Sequence, residues 1–459
     1  MNSFPESPPP GGPPEPWNMP AAFGRDLANG LRVMAVRVGA LPIVQARWIF
    51  AAGRNLERRD RIGSGFLLQR VMRHGTQQLG ARDFAATLDR LGARMGGGVS
   101  IDASVVSIAG LAQHQGRIVD LVADVALRPN LSDLALAGEK VRSLALHHHA
   151  CARPESIVEM MLDRSIYGNH PYGRPATTET GISATTRTDL VAMHAGIAHP
   201  SRGMLLVVGD IDPHEVVRRF SVRFADLAGG DQSVGDAPPA PAAAPRRLLW
   251  VEHPTAEQTT IGVGGLAVPR NHPEHAALRV ANQAVGGGSG SRLFRSLRSE
   301  RALTYAVHSS LDCGVHSGDM TASMAIEPGS AAEGFGAMME SLQQVVDRPM
   351  NADEIRHAKR VVMGSFPQRA GGLTGVASLV TAGWLHALPD DEWSAFIPRM
   401  DAVSADQVQA ACRRWFDPRR LTAVVCGPPA SEAGMRAAAE RYGLAFEPTT
   451  VDDLASFIG

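Results

Sequence analysis

The chain has 459 residues, of which 44% are hydrophobic and 20% are charged. This length and composition allow a large buried core, and at about 100–200 residues per domain they predict two to four domains. The 45 basic and 46 acidic residues give a net charge of −1, which argues against nucleic-acid binding through overall basic charge. No stretch approaches the roughly 18–20 apolar residues of a membrane helix, so no membrane partner is expected.

Low-complexity stretches predict the division of the chain. Residues 1–20 hold eight prolines and show neither the basic start nor the apolar core of a signal peptide, which predicts a flexible tail and a cytoplasmic protein. Residues 229–247 have the Pro/Ala/Gly composition of a linker. We therefore predict an N-terminal domain over 21–228 and a C-terminal domain over 248–459.

The two predicted domains carry similar sequence. A basic loop followed by an apolar strand ends at Gly209 in SRGMLLVVGDI and again at Gly427 in DPRRLTAVVCG, and the difference between 427 and 209 is 218 residues. The same offset relates Ile261 to Ile43, both in strand-like runs. One long period across the chain indicates a duplicated domain rather than a solenoid.

Hydrophobic periodicity predicts both strands and helices in the first domain. Asn29-Gly30 predicts a hairpin turn before the strand-like run that follows it. The elements alternate without a regular βαβ rhythm, which favours an α+β sandwich with helices on one face of a sheet. The strand-like runs are 31–38, 105–112 and 205–209, and the helical stretches are 64–74, 81–93, 115–127 and 132–147.

Several motifs together resemble the M16 peptidases, the pitrilysin/insulinase family that includes the mitochondrial processing peptidase. They are NGLRV at 29–33, SGFLLQRVMRHGT at 64–76, HPYGRP at 170–175, LLVVGDIDP at 205–213 and GGGSGSRLF at 286–294. The resemblance covers nearly the whole chain. It implies an α+β fold of two homologous α/β sandwich domains, of the LuxS/MPP type, joined by a linker into half a clamshell.

The family's catalytic signature is an inverted zinc motif, His-x-x-Glu-His. Histidines four residues apart share one helix face and bind Zn²⁺, and the glutamate takes a proton from the metal's water. By the resemblance, the two histidine positions fall on Phe66 and Arg70, the base on Gln69, and a later glutamate ligand on Leu146, seven residues after Glu139. None of these four side chains can perform the expected role. We therefore predict no metal and no cofactor in this chain.

A relocated metal site is the alternative that would make the chain a peptidase by itself. His147-His148-His149 and the nearby His74 suggest it. Adjacent helical residues point about 100° apart, so this run does not converge on one ion by itself, and a solvated helix end is the simpler interpretation.

The resemblance also implies an edge strand that pairs with an extended peptide, at Gly97, Gly98, Val99 and Ser100. The family usually has Asn-Ala where this chain has Gly98-Val99. This difference again argues against catalysis in the first domain, although the strand could still pair with another chain.

The second domain keeps one pair of the family's active-site residues, Arg298 and Tyr305, seven positions apart. The resemblance implies that this tyrosine hydroxyl stabilises an oxyanion and that this arginine holds a substrate carbonyl. A phenol donor and a fixed cation suit developing negative charge. Otherwise Arg298 is a surface charge and Tyr305 a strand residue.

Absent zinc chemistry and a retained Arg/Tyr pair together predict the non-catalytic subunit of a heterodimeric zinc metallopeptidase, inactive alone. Its expected partners are a zinc-bearing M16 paralogue and a peptide substrate. One alternative is trimming of a precursor peptide in pyrroloquinoline quinone or other modified-peptide biosynthesis. Another is a structural core protein without peptidase activity.

Overall fold

The computed structural model describes residues 17–39, 41–228 and 246–450. Most of the predicted tail and most of the predicted linker therefore lie outside the described residues. Within these three ranges, no helix combines the length and the apolar character that a membrane span requires.

The first half of the chain is built on a six-stranded sheet among the described residues. Its strands are β1 (Ala22–Asp26), β2 (Arg32–Arg37), β3 (Ile43–Phe50), β4 (Arg94–Val99), β5 (Ser104–Leu111) and β6 (Gly203–Gly209). Their order is β1-β2-β6-β3-β5-β4, in which β2 and β6 run parallel and all other neighbours antiparallel. The central strands β3 and β6 are almost entirely buried, as their runs of Val, Ile, Leu and aromatic residues require.

The helices of the first half mostly begin at residue types that cap helices. Ser132 and Thr186 accept backbone N–H bonds at two of these starts, and Thr186 forms a capping box with Asp189. The helical stretches expected at 64–74 and 115–127 are confirmed, the first ending in a short 3₁₀ turn. In the described part of this half the helices are α1 (Ser64–Val71), α2 (Ala81–Arg90), α3 (Gln115–Leu127), α4 (Asp133–Cys151), α5 (Pro154–Tyr167), α6 (Glu179–Ala184), α7 (Arg187–Ile197) and α8 (Pro213–Phe224).

The second half repeats this architecture. Its strands are β7 (Arg247–Glu252), β8 (Thr259–Ala267), β9 (Val307–Cys313), β10 (Gly318–Ile326), β11 (Thr422–Gly427) and β12 (Ala445–Thr450), in the order β12-β7-β11-β8-β10-β9. Its helices are α9 (His275–Gly286), α10 (Ala331–Asp347), α11 (Ala352–Ala370), α12 (Gly372–Leu385), α13 (Phe396–Asp401), α14 (Ala405–Trp415) and α15 (Glu432–Arg441), with a π-helix at Phe294–Glu300.

The predicted duplication is confirmed by the sheets. β6 and β11 end at Gly209 and Gly427, the pair that defined the repeat, and each is paired with the strand that holds Ile43 or Ile261. The two sheets differ at one edge. β1 enters from the N-terminal side and pairs antiparallel with β2, whereas β12 comes from the C-terminal side and pairs parallel with β7.

One helix from each half crosses to the other half's sheet. Buried residues of α5, including Ile157 and Met161, pack with Leu249 and Val424 of the second sheet. In the reverse direction, Val376 of α12 belongs to the cluster that covers the outer residues of β2, β3 and β6. Helices on one face were expected for each sheet. The second face is covered as well, because each half lends a helix to the other.

The Asn29-Gly30 turn connects β1 and β2 as the sequence predicts. Gly30 has φ 87°, and a Cβ there would lie 2.7 Å from Ser201 Cα, so glycine is required. The Asn29 side chain donates to the Phe224 carbonyl at the end of α8, which ties the hairpin to the helical layer.

Candidate functional site

Helix α1 starts over a buried carboxylate. Glu57 accepts hydrogen bonds from the backbone N–H groups of Gly63, at 3.2 Å, and Gly65, at 2.8 Å. A Cβ on Gly65 would stand 3.1 Å from the same Glu57 oxygen, a close contact that glycine avoids. Burial raises the pKa of Glu57 to about 7, against the lowering effect of these bonds and of Arg54. α1 is thus held at its N-terminus by a single acid.

The altered zinc-motif positions are occupied by packing and ion-pair contacts. Gln69 is buried, and the Arg54 guanidinium lies 5.5 Å from the centre of the Phe66 ring. The Arg70 guanidinium is 3.5 Å from a carboxylate oxygen of Glu139. Leu146 is 49% exposed on α4 and offers no oxygen or nitrogen ligand. The residues present do not fit a zinc ion.

The carboxylate of Glu139 is paired with neighbouring side chains rather than left free. Its other oxygen lies 3.0 Å from His74 Nε2, and Arg142 approaches at 4.0 Å. Burial alone would raise the pKa of Glu139, but the His74 hydrogen bond and the charges of Arg142 and Arg70 hold it below its ordinary value. Across the described residues, no group of three or more His, Cys, Asp or Glu side chains is placed to hold a metal ion.

The three adjacent histidines have separate environments. His147 Nδ1 lies 3.1 Å from Thr177 Oγ1, and its Nε2 is 3.6 Å from the Cys151 thiol. His148 instead contacts Glu179 at 3.2 Å. Burial and the charge of His148 lower the pKa of His147, so it is neutral at pH 7. Their divergence agrees with the 100° turn between neighbours on a helix.

The predicted substrate strand is β4, an edge of the first sheet. In the part of the chain that the structure describes, β4 pairs with β5 on one side and with no strand on the other. A cavity of about 490 Å³ borders β4 and also touches β3, β5 and the start of α12, and all four predicted residues line it, Gly97, Gly98, Val99 and Ser100. Gly97 has φ 128°, and a Cβ there would clash with Val105 O at 2.1 Å. We call this cavity the edge-strand groove.

Arg298 and Tyr305 are brought together by a tight turn after the π-helix. Leu303 donates to the Leu297 carbonyl at 2.9 Å, and Ala302 takes the left-handed conformation, with φ 51°. The Arg298 guanidinium therefore sits 4.4 Å from the centre of the Tyr305 ring, within cation–π range. Tyr305 is 81% exposed. No contact between this pair and the altered motif positions is found among the described residues.

A cavity of about 850 Å³ lies between the halves and is lined by several acidic residues, and it was not predicted from the sequence. Its walls are α5, strands β9 and β10, and the turn after β4. We call it the interdomain chamber. Its acidic lining residues are Asp102, Glu155, Glu159, Asp163, Asp312 and Asp319.

The acidic groups of the interdomain chamber repel one another. Asp312 and Asp319 are directly opposite each other on β9 and β10. Burial and then the charges of Asp319, Glu159 and Asp312 raise the pKa of Asp163 to about 8. Burial and the Asp312 charge raise the pKa of Asp319 to about 7, although the Tyr167 hydroxyl donates to it at 3.0 Å. The chamber therefore favours protons or positive charge.

One sequence signal could have revealed the interdomain chamber. Glu155, Glu159 and Asp163 follow each other at four-residue intervals on α5, so they share one helix face. Like charges in this pattern weaken an isolated helix and so require another explanation. The Asp312–Asp319 pair depends on strand register and had no comparable signal.

Comparison with known proteins agrees with the fold. The description "Insulinase (Peptidase family M16)" matches residues 41–180, and "Peptidase M16 inactive domain" matches 184–362. An uncharacterized zinc protease of Mycobacterium leprae is 29% identical over 88% of this chain and 92% of its own. A non-peptidase homologue of Helicobacter pylori is 21% identical over 72% of this chain and 76% of its own.

Solved structures share the whole two-half architecture. An M16 inactive domain protein from Pseudomonas fluorescens has a TM-score of 0.82 at 23% identity and covers 89% of this chain and 98% of its own. A protease from Helicobacter pylori also gives 0.82, at 18% identity, with 89% and 100% coverage. The chain belongs to the M16 peptidase family, and its second half is of the type described as inactive.

Proposed function

We propose that this chain is the non-catalytic subunit of a heterodimeric M16 metallopeptidase. The zinc ion and the activation of water belong to a paralogous partner. This chain contributes Arg298, Tyr305 and a strand edge that holds a peptide. The assembled pair cleaves peptides that are small or unstructured enough to enter the space between the subunits.

The observation that carries the proposal is a difference in hydrogen-bond and charge partners between the altered zinc motif and the Arg298–Tyr305 pair. The altered motif has its partners within the chain, because the carboxylate of Glu139 contacts His74 and Arg70. Arg298 and Tyr305 contact each other, and Tyr305 is exposed. The Tyr305 hydroxyl can therefore donate a hydrogen bond to a group outside the described part of the chain. An oriented and unused donor supports a role in binding.

Each side chain of the pair has a separate task under this proposal. The Tyr305 hydroxyl donates a hydrogen bond to the oxygen that gains negative charge as the peptide carbonyl is attacked. The Arg298 guanidinium, placed over the tyrosine ring at 4.4 Å, holds a neighbouring carbonyl of the substrate. The left-handed turn at Ala302 keeps the two at a fixed separation.

The edge-strand groove gives the peptide a place along the first half. β4 leaves one row of backbone N–H and C=O groups without a strand partner among the described residues. An extended peptide can add to such an edge through main-chain hydrogen bonds, which impose little sequence preference. Gly98 has open space around its Cβ position, so bulky substrate side chains are tolerated there.

The test is reconstitution with a zinc-bearing paralogue and a quenched peptide substrate. Tyr305→Phe keeps the ring under Arg298 and removes only the hydroxyl. We expect kcat to fall by about 10²–10³-fold, the usual cost of losing one oxyanion donor. Tyr442→Phe is the matched control, because its hydroxyl bonds the Gly336 carbonyl within the second half.

The outcomes separate the proposal from its alternatives. Loss of kcat in Tyr305→Phe but not in Tyr442→Phe supports a catalytic role for the pair. Full activity of Tyr305→Phe and Arg298→Ala in the complex would instead favour a structural core protein. Cleavage by this chain alone, with bound zinc, would contradict the proposal.

A further inference from the structure

A polar cavity lies within the helical layer of the second half. It has a volume of about 300 Å³ and is formed mainly by α9 and α11. Arg279 and Gln283 face it at a four-residue interval on α9, and Ser365 and Arg369 do so on α11. Two adjacent helices thus turn polar faces toward one space. We call it the basic cavity.

The two arginines of the basic cavity have no acidic partner among the described residues. Neither Arg279 nor Arg369 has an ion pair or a hydrogen bond to a carboxylate there. Neighbouring arginines differ, since Arg270 bonds Glu392 at 2.7 Å and Arg292 bonds Glu354 at 2.9 Å. Arg270 and Arg292 therefore have a counter-charge in the described part of this half, whereas Arg279 and Arg369 do not.

The positive charge of Arg369 acts on Arg279 across the basic cavity. Burial, then the positive charges of Arg369 and Arg270, lower the pKa of Arg279 to about 10. Burial and the charges of Arg270 and Arg279 also lower the pKa of His275, another lining residue, to about 2. Histidine is therefore neutral, and both arginines stay charged at pH 7. Arg279 is half-buried and Arg369 is exposed, so the two charges meet in a partly open site, where their repulsion favours the binding of an anion.

Local packing explains the positions of the Arg279 and Arg369 side chains but provides no negative charge to balance them. Arg279 lies 5.2 Å from the centre of the Phe396 ring, a cation–π contact. Arg369 is in the last turn of α11, where positive charge is favoured by the helix dipole. Neither contact supplies negative charge to the cavity.

We propose that the basic cavity binds the oxyanion of a small ligand, a phosphate or a carboxylate group. Arg279 and Arg369 supply charged N–H donors from two helices, and the Gln283 amide supplies a neutral one. Guanidinium groups match both anions, because their planar forks form paired hydrogen bonds with them. The volume suits a small anion or one terminal group of a larger molecule. This site is independent of the proposed peptidase role.

The experiment measures the binding of inorganic phosphate and of acetate to the full chain by calorimetry, at matched ionic strength. We expect saturable binding of at least one anion, weakened about tenfold or more in Arg279→Gln and in Arg369→Gln. The matched control is Arg360→Gln, the same change at an exposed residue of α11 that does not line the basic cavity. Phosphate and acetate in separate titrations show which oxyanion is preferred.

A second measurement keeps the test valid if a variant is less soluble. In chloride buffer, Arg369→Gln should melt at the same or a higher temperature than the parent chain, because it removes repulsion with Arg279. Added anion should then raise the melting temperature of the parent chain more than that of the variant. No saturable binding of either anion, or equal loss in all three variants, overturns the proposal.

Discussion

Helices α5 and α12 occupy the same place in the repeat and are used in different ways. Their bounds, Pro154–Tyr167 and Gly372–Leu385, differ by 218 residues at both ends. Each crosses to the other half's sheet, but α12 meets it with apolar residues such as Val376 and Ala377. α5 adds a row of acids to its apolar contact, and the row forms one wall of the interdomain chamber. The repeat places the helix, and the residues decide which surface it presents: α12 presents Thr374 to the edge-strand groove, whereas α5 presents acids to the interdomain chamber.

The same contrast holds for charge. In the first half, the carboxylate of Glu139 is paired with Arg70 and His74 inside the chain. In the second half, Arg298 with Tyr305, and Arg279 with Arg369, have no carboxylate partner among the described residues. A charge satisfied within a chain stabilises that chain, whereas an oriented charge without a partner is available to a ligand or another subunit.

The largest loss of stability is expected when a buried side chain of a crossing helix is truncated. Ile157 is fully buried between α5 and the second sheet, so Ile157→Ala should cost about 3 kcal/mol of stability. Val376→Ala on α12 removes less volume, two methyl groups at roughly 0.8 kcal/mol each, and should cost about half as much. Urea denaturation measures both. The control is Val191→Ala, at an exposed position. A loss no greater for Ile157→Ala than for this control would show that α5 does not hold the halves together.

A smaller loss of stability is expected when the Glu139 carboxylate is removed from the altered zinc motif. Glu139→Leu leaves Arg70 and His74 beside an apolar side chain and should cost about 2 kcal/mol. The value is below that of a fully buried pair, because the side chains of Arg70 and His74 are 32% and 39% exposed. Thermal denaturation gives the result. The exposed control Leu146→Ala should stay within about 0.5 kcal/mol. Equal stability of the two variants would mean that the carboxylate is not needed.

The smallest effect is a change in pH dependence. The pKa of Asp163 is raised to about 8 in the folded chain, against about 4 when unfolded, so its protonated form stabilises the fold at low pH. This contribution is complete below pH 4 and is lost as pH rises toward 8. Asp163→Asn should therefore be more stable than the parent chain at pH 9, on the order of 1 kcal/mol, and similar to it at pH 5.

A matched control for this effect lies on the same helix face. Glu155 also lines the interdomain chamber but is exposed, so Glu155→Gln should leave the pH dependence of the melting temperature unchanged. If Asp163→Asn and the parent chain lose stability in parallel from pH 5 to pH 9, the acids of the chamber do not interact as described.

The sequence predicted the duplicated architecture because its signals are local or periodic. The glycines at 209 and 427, the Asn29-Gly30 turn and the apolar strands each depend on neighbouring residues. The four altered motif positions were found through the family resemblance. The crossing of α5 and α12 was not predicted, since both have apolar faces that fit either sheet. The basic cavity and the Asp312–Asp319 pair depend on helix packing and strand register, which one sequence does not specify.

The most direct test of the proposed role as a non-catalytic subunit is to count zinc ions in the active complex. The chain should be purified alone and together with a His-x-x-Glu-His paralogue, and zinc and peptide cleavage measured on each sample. The account predicts no zinc and no cleavage for this chain alone, and about one zinc per pair in an active complex. About one zinc per chain in the isolated protein, with cleavage of the peptide, would contradict it.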